Sequence, residues 1–311
     1  MARRATPLLL ATLCVAAVAL AAGCGMEAAG SSPAGLRVVA TTSFLRDIAQ
    51  NVAGRQFQVA ELIPVGVDPH SFEPTPAEIT AAVESDLLIV NGANLEGTLA
   101  TTLQNAGGRH VTVVASAGLV PRTPKPSEPA PEHAGEPDPH FWLDPILVIK
   151  YVQNISAAFA KADPAHSAVF RANASAYIGK LRQLDTWIRS QVATVPAADR
   201  LLVMNHLSHG YFADRYGFRV VGAIIPSVST GDIVGAQALT QLVKAIETTG
   251  VKAIFVELDE NADLARQIGS EAHVKVVTDL LDHSLTGPGG PAPTYLAMMR
   301  YDVERIVGAL K

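Results

Sequence analysis

The chain has 311 residues, two of them cysteine, and its 24 Lys and Arg against 29 Asp and Glu give a formal charge of −5 at pH 7. No basic stripe or arginine-rich segment interrupts that acidic balance, which argues against a nucleic-acid partner. The length exceeds one ordinary hydrophobic core and suits two lobes of domain size.

Met1-Ala2-Arg3-Arg4 is a short basic region, and Pro7 to Ala22 is an apolar run interrupted by Thr12. The run is short for a membrane span and fits a cleavable export signal over residues 1–23. It closes in Leu20-Ala21-Ala22-Gly23-Cys24, which resembles a bacterial lipobox. Cys24 is therefore expected to become the acylated first residue and to hold the protein on the extracytoplasmic face of the cell membrane. Three acyl groups exceed the single chain that anchors only marginally. Cys14 leaves with the signal, so the mature chain keeps Cys24 alone and has neither an internal disulfide nor a thiolate metal site. Losing Arg3 and Arg4 leaves 22 basic against 29 acidic residues, a formal charge of −7. Residues 24–35, mostly Gly, Ala and Ser, read as a flexible tether.

The N-terminal lobe is assigned to residues 36–162. Leu36–Thr42 is a β-branched strand, Phe44 to Val52 has helical spacing and stops at Gly54, and Gln58–Ile63 is a second strand. A helix starts at Thr75-Pro76, and Leu87–Val90 and Val111–Val114 are two more strands with a helical stretch between them. This alternation predicts a mostly parallel sheet covered on both faces. Residues 121–139 differ in kind: seven prolines with Glu128, Glu132, Glu136 and Asp138 predict a surface loop.

Asp144-Pro145 and Asp163-Pro164 each offer a capping carboxylate followed by proline at the first helical position. The first opens a helix over Ile146–Lys161. The second opens a segment reaching about Val192, in which Val169, Ala172, Ala176, Leu181, Leu184, Ile188 and Val192 recur at near-helical steps as one apolar stripe. A thirty-residue helix is roughly 45 Å long, so residues 163–193 read as a rigid linker between lobes. The C-terminal lobe, 194–311, repeats the alternation with strands at Leu201–Met204, Arg219–Ile225, Ala253–Val256 and Lys275–Val277 and a last helix from about Pro293 to Leu310. The predicted fold is α/β: two similar lobes with mostly parallel sheets joined by one long α-helix.

Nine histidines occur. His70 lies beyond the strand at 58–63, His140 ends the proline loop, and His206 follows the strand at 201–204. Ligands of open α/β sheets gather beyond the carboxyl ends of strands, so these distant loops can converge. A single histidine is more often a surface or core residue; three in equivalent loops point to a shared cation.

The segment Val67-Asp68-Pro69-His70-Ser71-Phe72-Glu73-Pro74-Thr75-Pro76 resembles the Asp-Pro-His-Ser-aromatic-Glu-Pro-Thr-Pro motif of the zinc and manganese solute-binding lipoproteins of bacterial ABC importers, the TroA-like family of metal-binding cluster A-I. Asn91–Glu96, Asp138–Pro145, His206–Gly217 and Thr294–Arg300 are further matches in chain order, so the resemblance spans essentially the whole mature chain. It implies two pseudo-symmetric lobes joined by one long rigid helix, with the metal buried in the cleft. It also implies a monomeric binding protein that delivers Zn2+, with Mn2+ as the alternative, to a membrane permease. His70, His140 and His206 match the first three ligands. Some members carry Glu at the third position; His206 favours zinc, which takes three imidazoles and a carboxylate readily, over manganese, which prefers more oxygen ligands.

The fourth ligand is where the sequence departs from the family, which has an acidic residue before Ser-Leu and a glycine-rich turn. Here the stretch reads Val277-Thr278-Asp279-Leu280-Leu281-Asp282-His283-Ser284-Leu285-Thr286-Gly287. Counting forward from the strand places Asp282 in the ligand slot; counting back from Ser284-Leu285 places His283 there; Asp279 reads as still within the strand. Asp282 is taken as the fourth ligand and His283 as its alternative, a four-histidine site remaining open. His209, where the family usually has an aromatic, is expected to pack in its place. His133 reads as part of a solvated loop, and His110, His166 and His273 as surface residues. Asp68, Glu73 and Asp144 are candidate acceptors for the second imidazole N–H, with helix capping the alternative role of Asp144, and Trp142 and Tyr211 are expected to pack nearby.

A zinc hydrolase would need an open coordination position with a base beside it. No His-Glu-x-x-His or comparable cluster is present, so the chain is not read as an enzyme. A surface adhesin remains compatible with a lipid-anchored binding protein, and no sequence feature separates it from transport.

Overall fold

Short β-branched runs build two sheets. The computed structural model describes residues 35–311 apart from 126, 127, 130–134, 233 and 259, so the export signal, Cys24 and His133 lie outside the described residues. In the N-terminal lobe, β1 (Val38–Ala40), β2 (Val59–Glu61), β3 (Leu87–Val90) and β4 (Val111–Val114) run parallel in the order β2-β1-β3-β4, with Val38 opposite both Val59 and Leu87. Helices α1 (Ser43–Ala53), α2 (Pro76–Val83) and α3 (Gly97–Ala106) make the crossovers. Their starts follow from the sequence. Thr42 Oγ1 accepts from the Leu45 amide, and Thr75 with Glu78 forms a capping box ahead of Pro76. Gly54 ends α1 at φ 64°, a conformation that costs glycine nothing.

Two helices join the lobes. The Asp144 carboxylate accepts from the Ile146 amide at 2.8 Å, and after this turn α4 (Val148–Ala162) begins. Asp163 caps a 3-10 turn at Pro164–His166, from which α5 (Ser167–Val192) continues. At 26 residues α5 is about 39 Å long. Its buried face is Phe170, Ala174, Tyr177, Leu181, Leu184, Ile188 and Val192. The expected stripe holds from Leu181 onward and is wrong before it: Val169 is 38% exposed, and Ala172 and Ala176 face outward. The five-residue step from Ala176 to Leu181 hid a change of face, and the larger Phe170 and Tyr177 take the core positions.

The C-terminal lobe repeats the permutation. β5 (Leu201–His206), α6 (Gly210–Tyr216), β6 (Arg219–Ile225), α7 (Ala236–Thr249), β7 (Ala253–Glu257), α8 (Asp263–Glu271) and β8 (Lys275–Leu280) form a parallel sheet of order β6-β5-β7-β8. α9 (Tyr295–Leu310), capped by Thr294, packs back along α5 and β8. One apolar core runs through both lobes, from Phe44 of α1 through Tyr151 of α4 and Leu181 of α5 to Met204, Phe255 and Met299. Among the described residues no helix is long and apolar enough to cross a membrane.

The register of α5 is directly testable by urea denaturation. Leu181→Ala should cost about 3 kcal/mol, as for other buried leucines, and Val169→Ala should stay within about 0.5 kcal/mol. The reverse ranking would place the other face inward.

Candidate metal centre

Two copies of one local structure present two of the histidines. Beyond β2, Asp68 Oδ1 accepts from the His70 amide at 2.9 Å, closing a tight turn over Pro69. Asp68 Oδ2 accepts from Ser71 Oγ at 2.8 Å and from Thr230 Oγ1 of the other lobe at 2.5 Å. At the end of the proline loop Asp138 Oδ1 likewise accepts from the His140 amide, at 3.0 Å. The same oxygen lies 2.8 Å from His140 Nδ1, which assigns the proton to Nδ1 and leaves Nε2 bare for a ligand. The Pro139 carbonyl accepts from Asn91 Nδ2 at 3.0 Å. Asn91 is itself held in a turn after β3, where Gly92, Ala93 and Asn94 all have positive φ. A Cβ on Gly92 would come within 2.5 Å of Val114 Cγ1, so only glycine fits. The Glu96 carboxylate accepts from the amides of Asn91 and Gly92 and from Thr41 Oγ1, tying the turn to the end of β1.

The other two histidines come from the C-terminal lobe. His206 is the last residue of β5, and its Nδ1 lies 2.9 Å from Glu257 Oε1 at the end of β7. His283 sits in the loop after β8. Together His70, His140, His206 and His283 offer one ring nitrogen each, all within 4.8 Å of one another. Ring centroids are 5.0–5.8 Å apart, and His140 Nε2 is 3.1 Å from His206 Nε2. A tetrahedral zinc with bonds of about 2.0–2.1 Å has nitrogens roughly 3.3 Å apart, so small inward shifts complete such a shell. His140, His206 and His283 are buried; His70 is half-buried and marks the side nearest solvent.

Asp282, expected as the fourth ligand, is not in this cluster. Its Oδ2 accepts from Ser208 Oγ at 3.0 Å and lies 3.2 Å from His209 Nδ1, and its carbonyl accepts from Trp142 Nε1 at 2.6 Å. The alternative, His283, stands where Asp282 was placed. Asp279 is in β8 and meets Tyr301 and Arg305. His209 packs edge-on against Phe212, as expected of an aromatic substitute, and adds the contact to Asp282.

Of the candidate acceptors, Asp68 fixes the His70 backbone, Glu73 is exposed, and Asp144 caps the turn before α4 and pairs with Arg215 at 3.0 Å. Trp142 lies 5.1 Å from the His140 ring and stacks on Phe44 at 4.5 Å. Tyr211 donates its hydroxyl to the Asp138 carbonyl at 2.8 Å. Sequence reasoning missed Asp138 and Glu257. The first was visible as a repeat of Asp-Pro-His, the second as an acid closing the apolar strand Ala-Ile-Phe-Val-Glu.

Burial and the neighbouring imidazoles hold His140 well below the ordinary histidine range, and burial with His283 beside it takes His206 down to about 3. Burial raises the Asp138 carboxyl to about 7 and lifts Glu257 well above the carboxylate range. At Asp68 burial is outweighed by His283, His70 and the Thr230 hydroxyl, and the group falls to about 2. His140 and His206 are therefore held neutral, the state in which imidazoles bind transition-metal ions.

Residues 38–309 match the family described as ZnuA, zinc-uptake complex component A, periplasmic. The manganese-binding lipoprotein MntA of Bacillus subtilis is 34% identical over 310 residues, covering 97% of this chain and 99% of its own. The iron-binding protein YfeA of Yersinia pestis is 31% identical over 270 residues, covering 87% and 85%. Among solved structures, the periplasmic zinc-binding protein TroA of Treponema pallidum has a TM-score of 0.79 at 27% identity, covering 88% of this chain and 98% of its own.

In the metal-free chain, an unfolded His206 takes up a proton below its ordinary pKa of 6.5 that the folded site refuses until about 3. Its contribution to stability is therefore full above pH 6.5 and declines as pH falls toward 3. Relative to His206→Gln, the wild type should lose up to about 1.4 kcal/mol per pH unit in this window, read from urea midpoints in chelator. A difference that stays flat, or grows in favour of the wild type, would contradict the assignment.

Proposed function

The chain belongs to the ZnuA family of zinc-uptake complex component A, and from that premise we propose that it captures Zn2+ outside the cytoplasm and delivers it to the permease of an ABC importer. The observation that carries this reading is the donor set: four imidazole nitrogens within 4.8 Å, with no carboxylate among them. Zinc has no geometric preference of its own and accepts an all-nitrogen tetrahedron, whereas manganese favours oxygen. Four protein ligands close the shell and leave no open position for a hydrolytic water, as suits a carrier in an uptake complex. Manganese is the second reading, because a relative 34% identical over nearly the whole chain is named manganese-binding.

Each ligand has a defined part. Asp138 accepts from Nδ1 of His140 and directs the opposite nitrogen inward, and Glu257 lies beside Nδ1 of His206. The half-buried His70 is the first contact for an incoming ion and the last for a departing one. Acylation at Cys24 would keep the loaded protein within reach of the permease, a reading supported by the lipoprotein name of MntA.

Metal-stripped protein dialysed against equimolar Zn2+, Mn2+ and Fe2+ should retain one equivalent of zinc by elemental analysis. His283→Ala should lose more than the 10–100-fold that removal of an outer hydrogen-bond partner costs, and Asp282→Asn should fall within about that range. Preferential retention of manganese, or full zinc uptake by His283→Ala, would overturn the zinc reading or the ligand set respectively.

A further inference from the structure

We propose that Arg122 is a positioning residue for His140: it holds Asp138 against the imidazole and ties that turn to the C-terminal lobe. The proposal rests on reading the four histidines as a metal site. Arg122 lies near the start of a proline-rich surface loop, yet its side chain is only 10% exposed. Its Nη1 is 4.0 Å from Asp138 Oδ2, the oxygen turned away from His140. Its backbone amide donates to Tyr211 Oη at 3.0 Å, and that hydroxyl donates to the Asp138 carbonyl. One residue thus reaches both the side chain and the main chain of Asp138. The guanidinium also binds Glu128 Oε2 at 2.6 Å and Asp214 Oδ2 of α6 at 3.0 Å. Its place is built in, since a Cβ on Gly210 would lie 2.3 Å from Arg122 Nη1.

A fully buried carboxylate pressed against an imidazole needs a countercharge, and Arg122 is the cation the structure supplies. Without it the His140 amide and Nδ1 alone hold Asp138, through one oxygen, and the partner that fixes the tautomer and orientation of the ring is less firmly placed. A merely structural role predicts something else: a looser loop and a lower unfolding midpoint with the metal shell unchanged. The Asp214 contact separates the two, because it secures the same guanidinium to α6 without touching Asp138.

The test uses the full mature chain loaded with Zn2+ or Co2+. Zinc release to excess EDTA is followed by stopped flow, and the ligand field is read from the visible Co2+ spectrum. Arg122→Gln should release zinc at least about tenfold faster and alter the Co2+ bands, Arg122→Lys should restore most of both, and Asp214→Asn should stay within about twofold. Wild-type release and spectrum in Arg122→Gln, or equal changes in Asp214→Asn, would overturn the proposal. If Arg122→Gln does not fold, Gly210→Ala displaces the guanidinium while keeping its charge; faster release supports the role, and unchanged release with an unchanged spectrum overturns it. Failure of the wild type to load zinc sinks the metal-site reading, whereas normal loading with an indifferent Arg122→Gln sinks this inference alone.

Discussion

Buried imidazoles that turn bare nitrogens toward one another repel, and a proton relieves the repulsion at one ring while creating a buried charge beside the others. With His140 Nε2 at 3.1 Å from His206 Nε2, and His70 and His283 completing the ring, the divalent ion proposed above satisfies all four at once. Holding the rings in this arrangement without the ion is unfavourable and must be offset elsewhere. Around the site, Trp142 stacks on Phe44, Trp142 Nε1 donates to the Asp282 carbonyl, and the Tyr295 hydroxyl donates to the Trp142 carbonyl. Each of these residues is fully buried in the continuous core.

Further contacts cross the lobes. The Tyr295 amide donates to Asp47, the Leu285 amide donates to Ser43, and Thr230 donates to Asp68, so residues far apart in sequence meet near the four histidines. With α5 unbroken between its halves, the cleft is stitched at several points, and the contact from Thr230 to Asp68 lies beside the half-buried His70. Local openings draw on the least protected parts of a structure.

Much of this was legible because it depends on local chemistry. β-Branched runs, helix starts at Thr75, Asp144 and Asp163, and the glycine after α1 defined the elements, and His70 and His206 fell at or beyond strand ends as the parallel architecture requires. What escaped was set by tertiary packing. The face of α5 before Leu181 was decided by Phe170 and Tyr177 outcompeting Val169 for buried space, which no count of aliphatic residues reveals. The acids that orient the rings were missed for another reason: Glu257 meets His206 only because β7 lies beside β5 in the sheet.

The fourth histidine of the cluster shows how the surroundings separate adjacent residues. Asp282 and His283 are the two central residues of a tight turn after β8, closed by the Ser284 amide donating to the Leu281 carbonyl at 3.2 Å. The Asp282 carbonyl is held by Trp142, and its carboxylate is drawn toward Ser208 and His209, which follow His206 on the far side of the cluster. With Asp282 held there, His283 joins His70, His140 and His206. His209 shares the hold on Asp282 with Ser208, whose hydroxyl donates to the same carboxylate oxygen, while Trp142 holds the backbone. The carboxylate is thus engaged by Ser208 and His209, outside the four rings, and the cluster itself carries nitrogen donors alone.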